Sequence, residues 1–372
     1  MPKYDYLIVG AGMYGAVFAR QMTDAGKKVL ILEKREHIGG NCYTEEVEGI
    51  QVHKYGAHIM HTSSEKIWRY IGKYAEMNHY VNRVRVRHED KIYSFPINMN
   101  TLNQVFGVVS PEEARARIEA AKIPNDNPQN MEEWVLANVG RELYEIFIKG
   151  YTQKQWGKSP RELPASIIRR LPIRYLYDDN YFNDCYQGIP KGGYTAFFEK
   201  ILDGIELRLG VDYLANKESY NTLAKKVIYC GNIDSFFDYQ FGELEWRSLR
   251  FENETMDLND FQGTAVVNYT SEDVPYTRIL EHKHFEHIGV IPDTGKTIIT
   301  REYPQDWDRS KEAYYPVRDT NGHSELYERY KAEAEKLDNI FFRGRLAEYV
   351  YRDMCPTIGL ALRFSEQELE LY

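Results

Sequence analysis

Six residues near the start of the chain, Gly10-Ala11-Gly12-Met13-Tyr14-Gly15, carry the spacing G-x-G-x-x-G. They stand between an apolar, β-prone run, Tyr6 to Val9, and a stretch of helix formers, Met13 to Ala25. Each glycine then has its own job. Gly10 permits a tight turn, Gly12 lets a pyrophosphate approach the backbone, and Gly15 lets helix and strand pack closely. The phosphates would meet open N–H groups and the positive end of the helix dipole. Glu33 closes the next apolar run, roughly 20 residues on, where an acidic side chain accepts from ribose hydroxyls. A glycine triplet alone is a weak signal. With strand, helix, second strand and acid in order, a dinucleotide site is the expectation.

After Glu33 comes Lys34 to Asn41 (KREHIGGN), with a second glycine pair, Gly39-Gly40. This resembles the flavoprotein form of the motif, in which the extra glycines lie close to the FAD pyrophosphate. No second G-x-G-x-x-G occurs, so no dedicated NAD(P)H domain of the disulfide-reductase kind is expected. FAD is the expected cofactor. Its expected contacts are Gly10, Gly12, Met13, Tyr14, Gly15, Glu33, Lys34, Gly39, Gly40 and Asn41.

The elements that must position these residues are also legible. Tyr4 to Val9 and Lys28 to Leu32 read as buried strands around a helix that stops at Gly26, which gives a parallel sheet. Lys226 to Cys230 and Ile340 to Phe342 read as further short strands. Asn82 to Phe95 alternates as a half-exposed hairpin, with Arg83, Arg85 and Arg87 on one solvated face. Residues 101–157 carry helical spacing, and Ser110 before Pro111-Glu112-Glu113 is a capping box. Residues 172–200 and 243–304 read mostly as antiparallel strands, and Thr357 to Leu371 as an amphipathic tail. The expected class is α/β: a Rossmann-like FAD-binding domain with a parallel sheet, a helical-bundle domain, and an antiparallel β-sheet domain. The FAD domain spans 1–75 with 201–235 and 318–372; the helical, substrate-binding part spans 100–170; the sheet takes 76–99, 171–200 and 236–317. Gln153 to Pro164, rich in Gly, Ser, Pro and charge, is expected to be a mobile lid.

A net charge of −9 without a basic block argues against nucleic acid as a partner. No apolar run is long enough to span a membrane, and the first residues lack a signal-peptide pattern, so a cytoplasmic protein is expected. Cys42, Cys185, Cys230 and Cys355 form no C-x-x-C pair. Buried free thiols, no metal site and no dithiol centre are the reading.

Longer motifs add a family. "HKYGAHIMHT" (His53 to Thr62), "FPINMNT" (Phe95 to Thr101), "KGYTQKQWG" (Lys149 to Gly157), "ELPASIIRRLPIR" (Glu162 to Arg174), "YQGIPKGGYT" (Tyr186 to Thr195), "VPYTRILEHKHF" (Val274 to Phe285), "YYPVRD" (Tyr314 to Asp319) and "GRLAEYVYRDM" (Gly344 to Met354) resemble UDP-galactopyranose mutases. The resemblance runs from residue 3 to residue 362. It implies interconversion of UDP-galactopyranose and UDP-galactofuranose with no net redox change. It further implies reduced FAD, whose N5 attacks the anomeric carbon and displaces UDP, followed by iminium ring opening and reclosure through O4. NAD(P)H or another external reductant would supply the electrons, and a homodimer is the implied assembly.

The resemblance also assigns residues. Arg174 and Arg278 match the diphosphate arginines, and planar guanidinium groups suit the charge that develops on departing UDP. Tyr151 matches the aromatic that stacks on uracil, beside Phe147, Thr152 and Trp156. Asn82 and Asn268 are polar substrate contacts, and Tyr186, Tyr315 and Tyr351 offer phenols to the diphosphate. His58, Arg345, Asp353 and Met354 join the cofactor contacts. His61 either touches flavin or sugar in a catalytic role or is a strand histidine satisfied by its neighbours; both readings stand. Thirty tyrosines exceed what one site uses, so most serve packing. Two rivals remain: an FAD oxidase sharing only the nucleotide domain, and a silent flavin- or nucleotide-binding module.

Overall fold

A computed structural model describes residues 2–168, 173–287, 292–318 and 322–370. Arg169 and Arg170, of the Glu162 to Arg174 motif, lie outside them. The chain divides into two compact units. One comprises Met1–His79, Asp184–Trp246 and Tyr315–Tyr372; the other comprises Tyr80–Asn183 and Arg247–Tyr314.

In the first unit, five strands among the described residues form one parallel sheet. Their order is Ile340–Phe342, Ala224–Tyr229, Tyr4–Val9, Val29–Leu32 and Glu206–Arg208. Every residue of Val29–Leu32 is buried, as an unbroken VLIL run between two covered faces requires. The Met13–Asp24 helix follows the first strand, and the Met354–Glu370 helix packs on it, with Phe18 stacked on Phe364 at 5.5 Å. Glu368 is buried there, but Tyr6 Oη donates to it at 2.8 Å and Lys226 Nζ at 2.7 Å, so its charge is matched.

In the second unit, the strand order is Trp246–Met256 (from Arg247 onward), Thr297–Asp306, Arg278–Glu281, Val266–Tyr269, Val84–His88 and Lys91–Phe95. Neighbours are antiparallel except Val84–His88 beside Val266–Tyr269, which run parallel. These two strands are far apart in sequence, so no hairpin fixes their direction. Ser110 and Asn98 each start a helix with a reciprocal capping box, the first as the S-P-E-E pattern demands.

Three expectations need correction. The helical and sheet parts are one compact unit, because Val86 and Tyr93 of the hairpin share a core with Leu102, Val135, Leu143 and Phe147 of the helices. Residues 184–200 belong to the first unit. There Tyr186–Gly188 pairs with Met60–Thr62, and Gly193–Leu202 is a helix whose Phe197, Phe198 and Ile201 are buried. Aromatic content suggested strands, but apolar spacing at three and four residues decided for helix. The thiols are also not uniformly buried: Cys42 and Cys355 are, whereas Cys185 is exposed and Cys230 lies between.

Candidate functional site

The glycine turn is built as its spacing requires. Gly10 takes φ +107°, and a Cβ on Gly15 would fall 2.1 Å from the Gly10 carbonyl oxygen and 3.1 Å from Ile8 Cγ2. Only glycine allows that crossing of helix over strand. Gly12 differs. Its backbone is extended (φ −78°, ψ −174°), and an added Cβ would meet only Gly40 Cα, at 4.0 Å. No side chain caps the helix that starts at Met13, so its first turn can offer N–H groups to an anion. Gly39 N donates to Ala11 O at 3.0 Å, which brings the second glycine pair against the first. Glu33 is buried and ties the turn together: Oε2 accepts from Ala11 N at 2.7 Å and Oε1 from Arg35 N at 2.9 Å. Carboxylate oxygens keep further lone pairs, so these bonds leave capacity for a ribose hydroxyl. Together these features fit a dinucleotide. Met13 and Tyr14 are buried in the helix, and the Tyr14 hydroxyl has no hydrogen-bond partner among the described residues. Asn41 Oδ1 accepts from Arg35 at 2.8 Å, while Lys34 points outward to Asp212 at 3.0 Å.

Later segments of the same unit gather beside this cradle. Cys42 Sγ lies 3.4 Å from Met354 Sδ, and burial pushes the Cys42 thiol up to about 12. Burial pulls His58 down to about 4, although its Nδ1 meets Gly56 O at 2.8 Å. The Arg345 guanidinium sits 4.9 Å over the Tyr351 ring, and Tyr351 stacks on Tyr315 at 5.7 Å. Tyr351 is 55% exposed. His61 stands between two carboxylates: Nδ1 is 2.7 Å from Asp184 and Nε2 is 3.7 Å from Asp353. Burial opposes the charge on Asp184, yet hydrogen bonds from His61 and Ser63 hold its carboxyl below the usual range. Tyr186, opposite Thr62 in register, stacks on Trp68 at 5.4 Å.

The second unit assembles the other predicted residues. Arg278 Nη2 donates to Tyr151 Oη at 2.9 Å, and its Nε is 3.4 Å from Glu302 Oε2. Burial raises the Glu302 carboxyl, with the Arg278 charge opposing. Asn268 faces Arg278 across the strand pair, and its Oδ1 is buried with no hydrogen-bond partner among the described residues. An orphaned buried acceptor costs about 1–3 kcal/mol, which a ligand donor would recover. Phe147 proves to be core, packed between Tyr93 and Phe95; Thr152 is buried and Trp156 lies against that core. Asn82 accepts from the Tyr80 hydroxyl at 3.2 Å. Arg174 binds the Asn180 carbonyl, Tyr181 O at 3.3 Å and Asn183 Oδ1 at 2.7 Å, so in this structure it orders the 178–183 loop.

Sequence reasoning missed Asp184, Glu302 and Lys154. Asp184 and Lys154 stood inside quoted or adjoining motifs, but nothing in their spacing foretold partners more than a hundred residues away. Asp260, Glu281 and His284 also bring ligand-type atoms within 4.8 Å of one another. The Glu281 oxygens are occupied by Phe261 N, Gln262 N and Thr297 Oγ1, so this cluster reads as a structural knot.

Fold and cradle define a Rossmann-like, dinucleotide-binding α/β protein, and residues 8–74 match the profile of the NAD(P)-binding Rossmann-like domain. The profile described as UDP-galactopyranose mutase matches residues 146–351. A Klebsiella pneumoniae protein named "Probable UDP-galactopyranose mutase" is 45% identical over 99% of this chain and 96% of its own length. The dTDP-fucopyranose mutase of Escherichia coli is 42% identical over 97% of each. The crystal structure of reduced UDP-galactopyranose mutase superposes with a TM-score of 0.78 at 14% identity, covering 100% of this chain and 95% of that one. The chain belongs to the UDP-galactopyranose mutase family, whose members are isomerases.

Proposed function

We propose that the protein interconverts UDP-galactopyranose and UDP-galactofuranose using reduced FAD. The observation that carries this reading is the Arg278 guanidinium, held between the Tyr151 hydroxyl and Glu302, facing the Asn268 acceptor that has no partner among the described residues. A fixed cation, an aromatic ring and an amide oxygen open to a donor suit a nucleoside diphosphate: charge for the phosphates, stacking and an edge contact for the base. Arg278 stays protonated throughout and stabilises the charge on the leaving UDP. Arg174 can join it by exchanging its carbonyl partners for phosphate oxygens. The residues at Gly10–Gly15, Glu33, Gly39-Gly40, Arg345 and Met354 would hold FAD, which when reduced supplies a nucleophile at neutral pH with no net change in oxidation state. His61, fixed through Nδ1 by Asp184, serves as an orienting group rather than a general base.

The test is to reduce the purified flavoprotein with dithionite and follow UDP-galactofuranose conversion by chromatography. Turnover only in the reduced state, without stoichiometric use of reductant, is expected; equal turnover with oxidised flavin would sink the reading. The relative that acts on a dTDP-sugar supports a second reading, a thymidine-linked hexose. Competition between UDP-galactose and dTDP-fucose separates the two. Of the expected lid over Gln153 to Pro164, the part up to Trp156 closes the Gly150–Trp156 helix, so only residues 157–164 are left to move; slower hydrogen exchange there with UDP is expected, and a homodimer in the cytoplasm predicts a two-chain mass in sedimentation.

A further inference from the structure

Lys154 is the least expected side chain of the second unit. Its ammonium is ringed by four backbone carbonyls: Tyr269 O at 2.8 Å, Ser271 O and Val274 O at 2.9 Å each, and Tyr276 O at 3.1 Å. Tyr269 ends its strand, and the other three belong to the loop that runs from it to the strand beginning with Arg278. Lys154 lies on the Gly150–Trp156 helix, three residues after Tyr151. At the start of that helix, a Cβ on Gly150 would fall 2.1 Å from Thr270 O, so helix and loop are in direct contact. The loop is therefore gripped by Lys154, and its far end delivers Arg278 to Tyr151.

We propose that Lys154 is a positioning residue, which docks the Asn268–Arg278 hairpin on the Tyr151 helix and thereby sets affinity for the nucleotide end of the substrate. This rests on the reading of the site as a nucleoside diphosphate site. An ammonium offers three N–H donors to those carbonyls. A neutral amine offers two and turns a lone pair toward a carbonyl oxygen, so losing the proton converts attraction into repulsion. Burial pulls Lys154 down to about 8, with Asp273 on the loop opposing. Other charged and titratable groups also face this junction: on the Val84–His88 strand, His88 Nδ1 lies 3.1 Å from Thr270 Oγ1 and the Arg87 guanidinium sits 5.8 Å over the Tyr269 ring. Glu272 pairs with Lys149 at 3.0 Å, Tyr269 and Tyr276 meet each other edge-on at 4.9 Å, and Glu302 on the neighbouring strand sits at Arg278.

The experiment uses the oxidised holoenzyme with UDP-galactose as probe, whose diphosphate keeps its charge from about pH 6.5 to about pH 9. Wild type should bind evenly below about pH 7, weaken through about pH 8 as one proton is lost, and approach the roughly tenfold weaker binding of the neutral amine near pH 9. Lys154→Met should raise Kd about tenfold at neutral pH, flatten the pH series, raise KM more than it lowers kcat, and keep a wild-type flavin content. Lys149→Met removes an ion pair to the same loop from the residue just before that helix and should change none of these. Wild-type affinity in Lys154→Met, or a rise above about pH 8 that survives the substitution, overturns the proposal. If that variant fails to fold, wild type alone decides: unchanged affinity to about pH 9 overturns it. Wild type that binds no UDP-galactose at any pH would instead sink the functional reading, and this inference with it.

Discussion

Gly12 and Gly15 look equivalent in the motif, but the structure assigns them opposite consequences when each is replaced by alanine. The Gly15→Ala methyl would stand 2.1 Å from the Gly10 carbonyl oxygen, at least about 1 Å inside ordinary contact distance. Helix and strand must part, and overpacking of this kind costs about 3 kcal/mol or more. At about 1.3 °C per kcal/mol for a chain of 372 residues, melting should fall by roughly 4 °C or more, with or without cofactor. The Gly12→Ala methyl meets nothing nearer than Gly40 Cα at 4.0 Å, on an extended backbone any residue accepts. Stability of the flavin-free protein should stay within about 0.5 kcal/mol of wild type. The same methyl occupies the space where a pyrophosphate must approach, so FAD affinity should fall by about 10²-fold or more, near 2.7 kcal/mol. The assay is flavin released per chain, together with melting of flavin-stripped protein. A Gly12→Ala protein that purifies with full flavin, or a Gly15→Ala protein that melts like wild type, would refute the reasoning.

If both arginines serve the proposed function, Arg174→Ala and Arg278→Ala should keep the flavin spectrum but lose turnover by about 10²-fold or more, because each variant lacks a cation for the developing negative charge; full activity in either variant removes that residue from the mechanism. Asn268→Ala should leave melting unchanged or slightly raised, because the lost acceptor has no partner among the described residues, while UDP-galactose Kd rises about tenfold; loss of stability without loss of affinity would count against it. His282 is fully buried and burial pulls it down to about 3, so the unfolded chain binds its proton first as pH falls below about 6.5. That stability is present above about pH 6.5 and drains away on acidification, by about 2 kcal/mol at pH 5. Urea melts across that range should show a shallower acid slope in His282→Gln.

The cofactor half of the protein was open to reading from sequence because its signals are local. Glycines, helix and acid lie within one short stretch, and the physics that demands them, turn, dipole and close crossing, acts over a few residues. Strands such as Val29–Leu32 were equally plain, since burial on both faces leaves an unbroken apolar run. Other features came only with tertiary structure. Glu33, expected as a ribose contact, also holds the glycine turn; Phe147, near Tyr151, is core; Gly193–Leu202 is helix where strand was expected. His61 is held by Asp184, 123 positions away, and Lys154 by carbonyls 115 to 122 positions away. Residue type and spacing specify what a segment can do by itself, because propensity and periodicity are properties of neighbours along the chain. Which carboxylate faces which imidazole, and which carbonyls ring an ammonium, depends on how distant segments pack, and only the folded chain brings those charges into contact.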